Sequence, residues 1–426
     1  SALNALDFLN GIQVISRLHT LGLSRSDLMN PETSMTSLNT NIQSALSGLP
    51  TQTVQYTGND VDDLNQFLQN NTGKIVQLTQ DIQVYKNTNG SFGIIMVPSD
   101  TILDGNGHSL VMKAGYTEAP DVGVVLYVYK NGVIPSTNCG VKNLSTDIPY
   151  VNSINVFSAD NILLENNTLN NATKSGIMIS DEYGSTVNGI IRGNTINNVG
   201  DDAIAVYGNH SNLLIDSNRI SGAKGFAGIA ISCLQNGQQI RVDNETTGPH
   251  DIIVTGNVVS GCSGEALYCI GSYKTYITYN TLRDSILEGV CLDSGCIGNY
   301  FAHNEVVNNG IAGGLPGVSI DNGIYNIVDS NNVYNNSCSG IKLVRTGLGN
   351  IIVNNICTDN AYNQMGAKSS GIDIEPLAVE TENLGYIDGL GSNWNVVLNN
   401  TVTGSHDFGV FIADDDTANN GGSSCE

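Results

Sequence analysis

Charge is what this chain has least of. Asp, Glu, Lys and Arg make up 13% of its 426 residues, where ordinary domains carry about 25%. That shortage excludes a coiled coil or a solvated helical array, both of which need abundant Glu and Lys. Basic residues are scarcer still, 17 against 40 acidic ones, for a net charge of −23. Nucleic acid and anionic membrane surfaces are thereby excluded as main partners. No apolar run approaches the roughly 18 residues of a membrane span, and no basic-then-apolar signal peptide opens the sequence. The nine cysteines stand singly, with no CxxC and no Cys/His cluster at zinc spacing, so a structural zinc site is not expected and free, packed thiols are. Asn-x-Ser/Thr triplets at Asn70, Asn143 and Asn244 carry little weight in so Asn-rich a chain. Apolar residues make up 40% of the sequence and Gly numbers 48. There is enough to build a core, and the chain is long, acidic and rich in turns.

A repeat is present. The motif x-Asn-x-apolar recurs at Asn167, Asn194, Asn218, Asn257, Asn280, Asn304, Asn331, Asn354 and Asn400. Successive spacings are 27, 24, 39, 23, 24, 27, 23 and 46. Before each Asn lies a short apolar strand, such as Asp251-Ile252-Ile253-Val254. After it comes a second strand with the pattern small-apolar-x-apolar-x, as in Gly176-Ile177-Met178-Ile179-Ser180 and Gly289-Val290-Cys291-Leu292-Asp293. Strands this short, at one motif per coil, predict a chain that winds on itself. Each coil buries its alternating apolar residues and pairs its backbone with the coils above and below. Asn is expected at the corner because it tolerates left-handed backbone, and stacked Asn side chains can bond along the axis.

Over roughly residues 74–416 these registers resemble the right-handed parallel β-helix superfamily of pectin lyases, polygalacturonases, inulin fructotransferases and phage tailspikes. The resemblance implies an all-β fold, a single-stranded right-handed parallel β-helix with an Asn ladder, over residues 51–426. It also implies work on polysaccharides in an extracellular, cell-surface or virion setting. Residues 1–50 differ. Leu3, Leu6, Leu9, Ile12, Ile15 and Leu18 have helical spacing, Asn30-Pro31 would stop that helix, and Met35, Leu38, Ile42 and Ala45 form a short seam. This region is expected either to cap or pack on the coil or to form an oligomerisation neck, since tailspike-like β-helices are commonly homotrimers. Asp60 to Asn70 reads as an amphipathic helix that lids the open end of the core.

Two spacings break the rhythm, and they mark long loops at 233–250 and 376–392. Both leave the same strand at the same corner, with four coils between them, and would wall a trough of roughly 20–25 Å at about 4.8 Å per coil. Trp394 follows the second loop and would pack it down. On the trough floor, the residue preceding the small residue of each strand gives the column Ser175, Asp202, Ala227, Glu265, Glu288, Pro316, Ser339, Ser370. At the far end of the strand the column is Ser180, Tyr207, Ser232, Ile270, Asp293, Asp321, Val344, Glu375, and between them lie Tyr268, Ser319, Lys342 and Asp373.

Glu265 thus stacks on Glu288, and Asp293 on Asp321, each pair about one coil apart. Directly opposed like charges destabilise a sheet and raise one carboxyl's pKa. A raised acid beside an ionised partner is what glycosidic cleavage needs. One-coil spacing leans to a retaining course, with diagonal pairs such as Glu288 with Asp321, or Asp293 with Lys342, open. The same acids suit calcium, at Asp293 and Asp321. Glu265, Glu288, Asp293 and Asp321 are therefore the expected catalytic residues. Asp202, Tyr207, Tyr268, Lys342, Arg345, Asp373 and Glu375 are expected to bind a polysaccharide or oligosaccharide, with Tyr273 and Tyr325 as further stacking faces. No cofactor is required, calcium being the alternative.

Gly200-Asp201-Asp202 resembles the Gly-Asp-Asp element of polygalacturonases, with Asp181 at the place of that family's third Asp. Gly225-Phe226-Ala227-Gly228 stands where the family has Gly-His-Gly, and no Arg-Ile-Lys follows, so polygalacturonase activity itself is not expected. Basic groups near the trough are few: Lys342 and Arg345 on one coil, with Lys274 and Arg283 nearby. The expected activity is glycoside hydrolysis or intramolecular glycosyl or fructosyl transfer. The alternatives are a calcium-dependent lyase or epimerase, and a glycan-binding tailspike or adhesin without catalysis.

Overall fold

In the computed structural model the described residues are 23–86, 93–126, 128–129, 133–134, 136–182, 184–235, 238–239, 248–344, 347, 349–361, 370–375, 395–404 and 407–412. Three long parallel sheets of 13, 12 and 12 strands wind through them. Each coil contributes one strand to each sheet in turn, and each strand pairs with its counterparts one coil before and after. In one coil the sheet A strand is Tyr273–Thr278, the sheet B strand Thr281–Arg283 and the sheet C strand Val290–Asp293. Sheet B, built of strands mostly three residues long, was contained in the Asn motif but not separable from it by sequence. Pairing begins earlier than the repeat does, because Thr53–Tyr56 already stacks on Lys74–Leu78.

The inward column of sheet C, from Ile177, Ile204, Ile229 and Leu267 through Val290, Val318, Ile341 and Ile372, is fully buried. Alternation then turns every second residue outward. The small residue opening each of these strands has a steric cause. A Cβ on Gly289 would lie 2.5 Å from Cγ1 of Val306, and one on Gly228 would lie 2.2 Å from Cγ1 of Val259. Sheet B's inward side chains approach the backbone of sheet C too closely for anything larger.

The Asn column is a continuous buried ladder. Nδ2 of Asn280 donates to Oδ1 of Asn304 at 3.0 Å, and Asn304 to Asn331 at 3.0 Å. Two corrections to the sequence reading emerge. The rung after Asn331 is Asn355, not Asn354, and Asn355 bonds on to Asn400 at 2.9 Å. The left-handed residue is the one before each rung, as in Asn166, Ser217, Tyr279, His303, Ser330, Asn354 and Asn399. The rung is Asn for its hydrogen bonds, and the turn strain sits one residue earlier. Two further ladders, Asn299–Asn326–Asn350–Asn395 and Asn309–Asn336–Asn360, hold the other corners.

Residues 1–22 lie outside the described residues, and with them the apolar spacing from Leu3 to Leu18. Helix α1 (Arg25–Met29) ends at Asn30, and Pro31 opens α2 (Pro31–Ala45), in keeping with a proline that lacks an N–H to lose. The seam of α2 lies on the outer face of sheet A. Leu38 and Ile42, with Leu46 beyond them, pack on Ile190, Leu214, Ile253, Tyr276, Tyr300 and Ile327, and Met35 and Ala45 flank the contact. Polar ties reinforce it, from Nζ of Lys274 to Asp27 at 3.8 Å and from Nε2 of His303 to Glu32 at 3.3 Å. Helix α3 (Val61–Asn70), with Asp60 as its N-cap, buries Val61, Leu64 and Leu68 in the core at the N-terminal end of the coil. The eight cysteines from Cys139 to Cys357 are buried free thiols, and Cys425 lies outside the described residues. Among the described residues, no helix is long and apolar enough to cross a membrane.

Candidate active site

The pairings of sheet C place the outward columns where the sequence put them. Tyr268 stands beside Cys291 and Ile270 beside Asp293, and the amide of Ala266 donates to the carbonyl of Glu288 at 3.2 Å. Leu292 pairs with Ile320, which sets Asp321 alongside Asp293 at the strand ends. Farther along, Lys342 pairs with Asp373 and Val344 with Glu375.

Cys291 is the centre of the arrangement. Its side chain points out of the coil between the two acidic columns, and it is 7% exposed. Burial drives its thiol pKa well up, and Glu288, Asp293, Glu265 and Asp321 each push it further. The four expected catalytic carboxylates thus all act on one side chain, Glu265 and Glu288 from the entrance of the strands and Asp293 and Asp321 from their far end. Their environments differ. Burial raises Glu288 to about 7, with repulsion from Glu265, Asp321 and Asp293 adding to the effect. Glu265 is also raised, by burial first and then by Asp293. It is 7% exposed, and its Oε2 has no hydrogen-bond partner. Asp293 is held as an acceptor. The Tyr268 hydroxyl donates to its Oδ2 at 2.7 Å, and the amide and hydroxyl of Ser294 donate to Oδ1, the latter at 3.0 Å. Tyr268 is itself fixed edge-on against Phe226, ring centroids 4.8 Å apart. Ser294 escaped the sequence reading because it lies one residue beyond the strand pattern, although an Asp-Ser pair at a turn is a known local hydrogen-bonding unit.

At one end of the floor Asp202 is fully buried. It accepts from the Tyr207 hydroxyl and from the amide of Ala227 at 2.8 Å, and burial raises it to about 7. Asp181 lies at the opposite edge of its strand, where Oδ2 accepts from the amide of Asn209 at 3.1 Å. At the other end Lys342 sits 2.9 Å from Glu375 and 3.5 Å from Asp373. Burial lowers the Lys342 pKa, but the two carboxylates more than offset it and leave a net rise. One ammonium serves two acids, and the closer Glu375 takes the ion pair. Asp373, with no exposed surface, is raised by burial, and its Oδ1 has no partner. Lys274 and Arg283 are not in the trough: they pair with Asp27 and Asp284. Tyr273 stacks on His250 at 4.6 Å and Tyr325 is buried, so neither offers a free face. Arg345, Trp394, most of the first long loop and all of the second lie outside the described residues. A smaller insertion at the same corner, the hairpin of Val128–Tyr129 with Val133–Ile134, was not foreseen. Among the described residues no three His, Cys, Asp or Glu side chains converge as a metal-binding group.

A cleft of about 520 Å³ lies elsewhere, between α1, α2 and sheet A, with Asp27, Ser34, Asn212, Asp251 and Tyr276 among its lining.

The raised carboxyls fix how stability responds to pH. Asp202 moves from an ordinary 3.8 to about 7 on folding. The folded state therefore holds a proton that the unfolded chain has released, and its stabilising contribution is complete below about pH 4 and lost as pH rises through about 7. The change amounts to roughly 4 kcal/mol for this residue alone. Glu288 acts in the same sense. Thermal unfolding should show a lower Tm at pH 8 than at pH 5, and Asp202→Asn should flatten that dependence. A Tm that rises between these pH values would contradict the assignment.

A family model described as a right handed beta helix region matches residues 127–247. No curated protein sequence matches the chain. Among solved structures, the A-module of mannuronan C-5 epimerase AlgE4 from Azotobacter vinelandii superposes with a TM-score of 0.58 at 14% identity, covering 83% of this chain and 97% of that one. The AlgE6 A-module from the same organism gives 0.56 at 12%, covering 83% and 95%. A double mutant of the tailspike protein of E. coli bacteriophage HK620 gives 0.52 at 15%, covering 74% of this chain and 61% of the tailspike chain. The chain is a right-handed parallel β-helix protein. At these identities the likeness to each solved structure is one of fold.

Proposed function

We propose that this protein hydrolyses glycosidic bonds of a polysaccharide laid along the outer face of sheet C. The observation that carries the proposal is the two columns of carboxylates that flank Cys291 at the two ends of its strand, in which one acid is raised to about 7 and another is held by three donated hydrogen bonds. Environments that treat neighbouring carboxyls so differently suit an acid–base division of labour. Glu288 donates the proton to the leaving oxygen, and Asp293 activates water on the opposite face of the sugar. The two stand five residues apart on one coil, roughly 16 Å between Cα atoms, on either side of Cys291. An arrangement across the floor, rather than along one column, leaves room for the water and favours inversion over the retaining course that one-coil spacing suggested.

Tyr207 and Tyr268 line the floor, and Lys342, Asp373 and Glu375 close its far end. A uronate polymer fits poorly, because the one described cation on this face is already paired with two carboxylates. The similarity to mannuronan epimerases supports a glycan on this face without carrying their chemistry over. The setting that follows is extracellular, on a cell surface or on a virion, and the reading needs no metal. Digestion of a polysaccharide panel with mass analysis of the products tests it. Fragments 18 Da heavier than the anhydro chain are expected, at a rate that a chelator leaves unchanged. Unsaturated or cyclic products would point to elimination or transfer, and binding without fragments to a non-catalytic adhesin.

A further inference from the structure

Resting on that reading, we propose that the glycan carries protonated amino groups, and that Glu265 receives one of them beside the reacting bond. The observations are of charge and of an unmet valence. Oε2 of Glu265 is buried and accepts nothing, on a side chain that is 7% exposed. A buried carboxylate oxygen left in this state costs free energy that a donor from a ligand would recover. The group stands at the strand entrance one coil before Glu288, and its charge acts on Glu288 and on Cys291. Glu288, Asp293 and Asp202 are the acids nearest to it. Among the described residues of sheet C's outer face, Lys342 is the one cation, and it is held by Glu375 and Asp373. The protein as a whole carries −23.

A floor lined by one sign of charge concentrates ligands of the other sign and speeds their encounter. A hydroxyl would satisfy Oε2 but would leave the repulsion among the acids untouched. An ammonium does both. Glu265 lies one coil before Glu288, about 4.8 Å along the axis, so the amine would sit on the sugar next to the one being cleaved. Glu288 would keep its proton for the leaving group, and Asp293, with three donors already bound, would keep its remaining acceptor site for the attacking water.

The test is binding, with turnover removed by Glu288→Gln. The probes are hexasaccharides of glucosamine and of galactosamine in α and β linkage, each measured by calorimetry before and after N-acetylation, and calcium chloride alone. At low salt and pH 6 at least one free-amine hexasaccharide should bind ten-fold or more tighter than its N-acetylated form. Added Glu265→Gln, which keeps the side chain's shape, should abolish that preference. Equal or better binding of every acetylated form, a preference that survives Glu265→Gln, no binding by any free-amine member, or stoichiometric calcium binding at this site would each overturn the proposal. The wild-type protein separates this outcome from the hydrolytic reading. Free-amine chains that bind but are never cut would leave the amine site standing and remove hydrolysis, whereas cleavage confined to acetylated or neutral chains would do the reverse.

Discussion

Glu288→Gln should lower the cleavage rate by about 10²–10⁴-fold while leaving oligosaccharide binding within a few-fold of wild type. That range is the usual contribution of a positioned general acid, and Gln preserves the volume and the acceptor oxygen while removing the proton to be donated. The same residue sets the alkaline side of the pH profile. Its carboxyl is raised to about 7 by burial and by three neighbouring acids, so the active, protonated form predominates below that pH. Activity should fall about ten-fold per unit above it. Asp321→Asn removes one of the charges that raise Glu288 and should move that limb to lower pH without abolishing turnover. Steady-state rates on the polysaccharide identified by product mass, taken from pH 4 to 9, measure both effects. A Glu288→Gln protein that cuts at the wild-type rate, or a profile whose alkaline limb ignores Asp321→Asn, would remove Glu288 from the role of acid.

The acids could be found by sequence because a parallel coil turns spacing into adjacency. Once the small residue of each sheet C strand is set at zero, Glu265 and Glu288 fall in one column and Asp293 and Asp321 in another. The close approach of Val306 to Gly289 is the reason that marker exists. Other features had no such marker. Sheet B strands of three residues, such as Thr281–Arg283, are too short to show alternation. The ladders at Asn299 and Asn309 span only a few coils, and Asn is common everywhere in this chain. Whether the Met35–Ala45 seam met another copy or its own sheet was undetermined, because the apolar face it covers is assembled from Ile190 to Ile327, residues scattered over six coils. Column membership also says nothing of side-chain partners. Tyr207 and Tyr268 entered as sugar-stacking faces, yet each spends its hydroxyl on an aspartate, Asp202 and Asp293 respectively.

The one-residue slip between Asn354 and Asn355 yields the second large effect. Two adjacent residues of the same type have opposite duties, so the same substitution should cost very different amounts. Asn355 is fully buried. Its Nδ2 donates to the carbonyl of Val328 and to Oδ1 of Asn400, both at 2.9 Å, and its Oδ1 accepts from the amide and the Nδ2 of Asn331, again at 2.9 Å. Asn355→Ala strands the Asn331 amide and the Val328 carbonyl in a dry corner and weakens both neighbouring rungs. At about 1–3 kcal/mol for each orphaned buried group, the loss is on the order of 4 kcal/mol. Asn354 has φ +58° and an exposed hydrogen bond to Asp329 at 2.9 Å. Asn354→Ala places a Cβ in left-handed backbone at a cost of about 1–2 kcal/mol, and Asn354→Gly relieves that strain and should be close to neutral. Urea unfolding of the three variants measures the order. Because each coil is stabilised mainly by its two neighbours, the Asn355→Ala loss should also appear as faster amide exchange in the coils of Asn331 and Asn400, with the Asn167 coil unaffected. Equal costs at the two positions would mean that the ladder is an ornament of the turn and not its support.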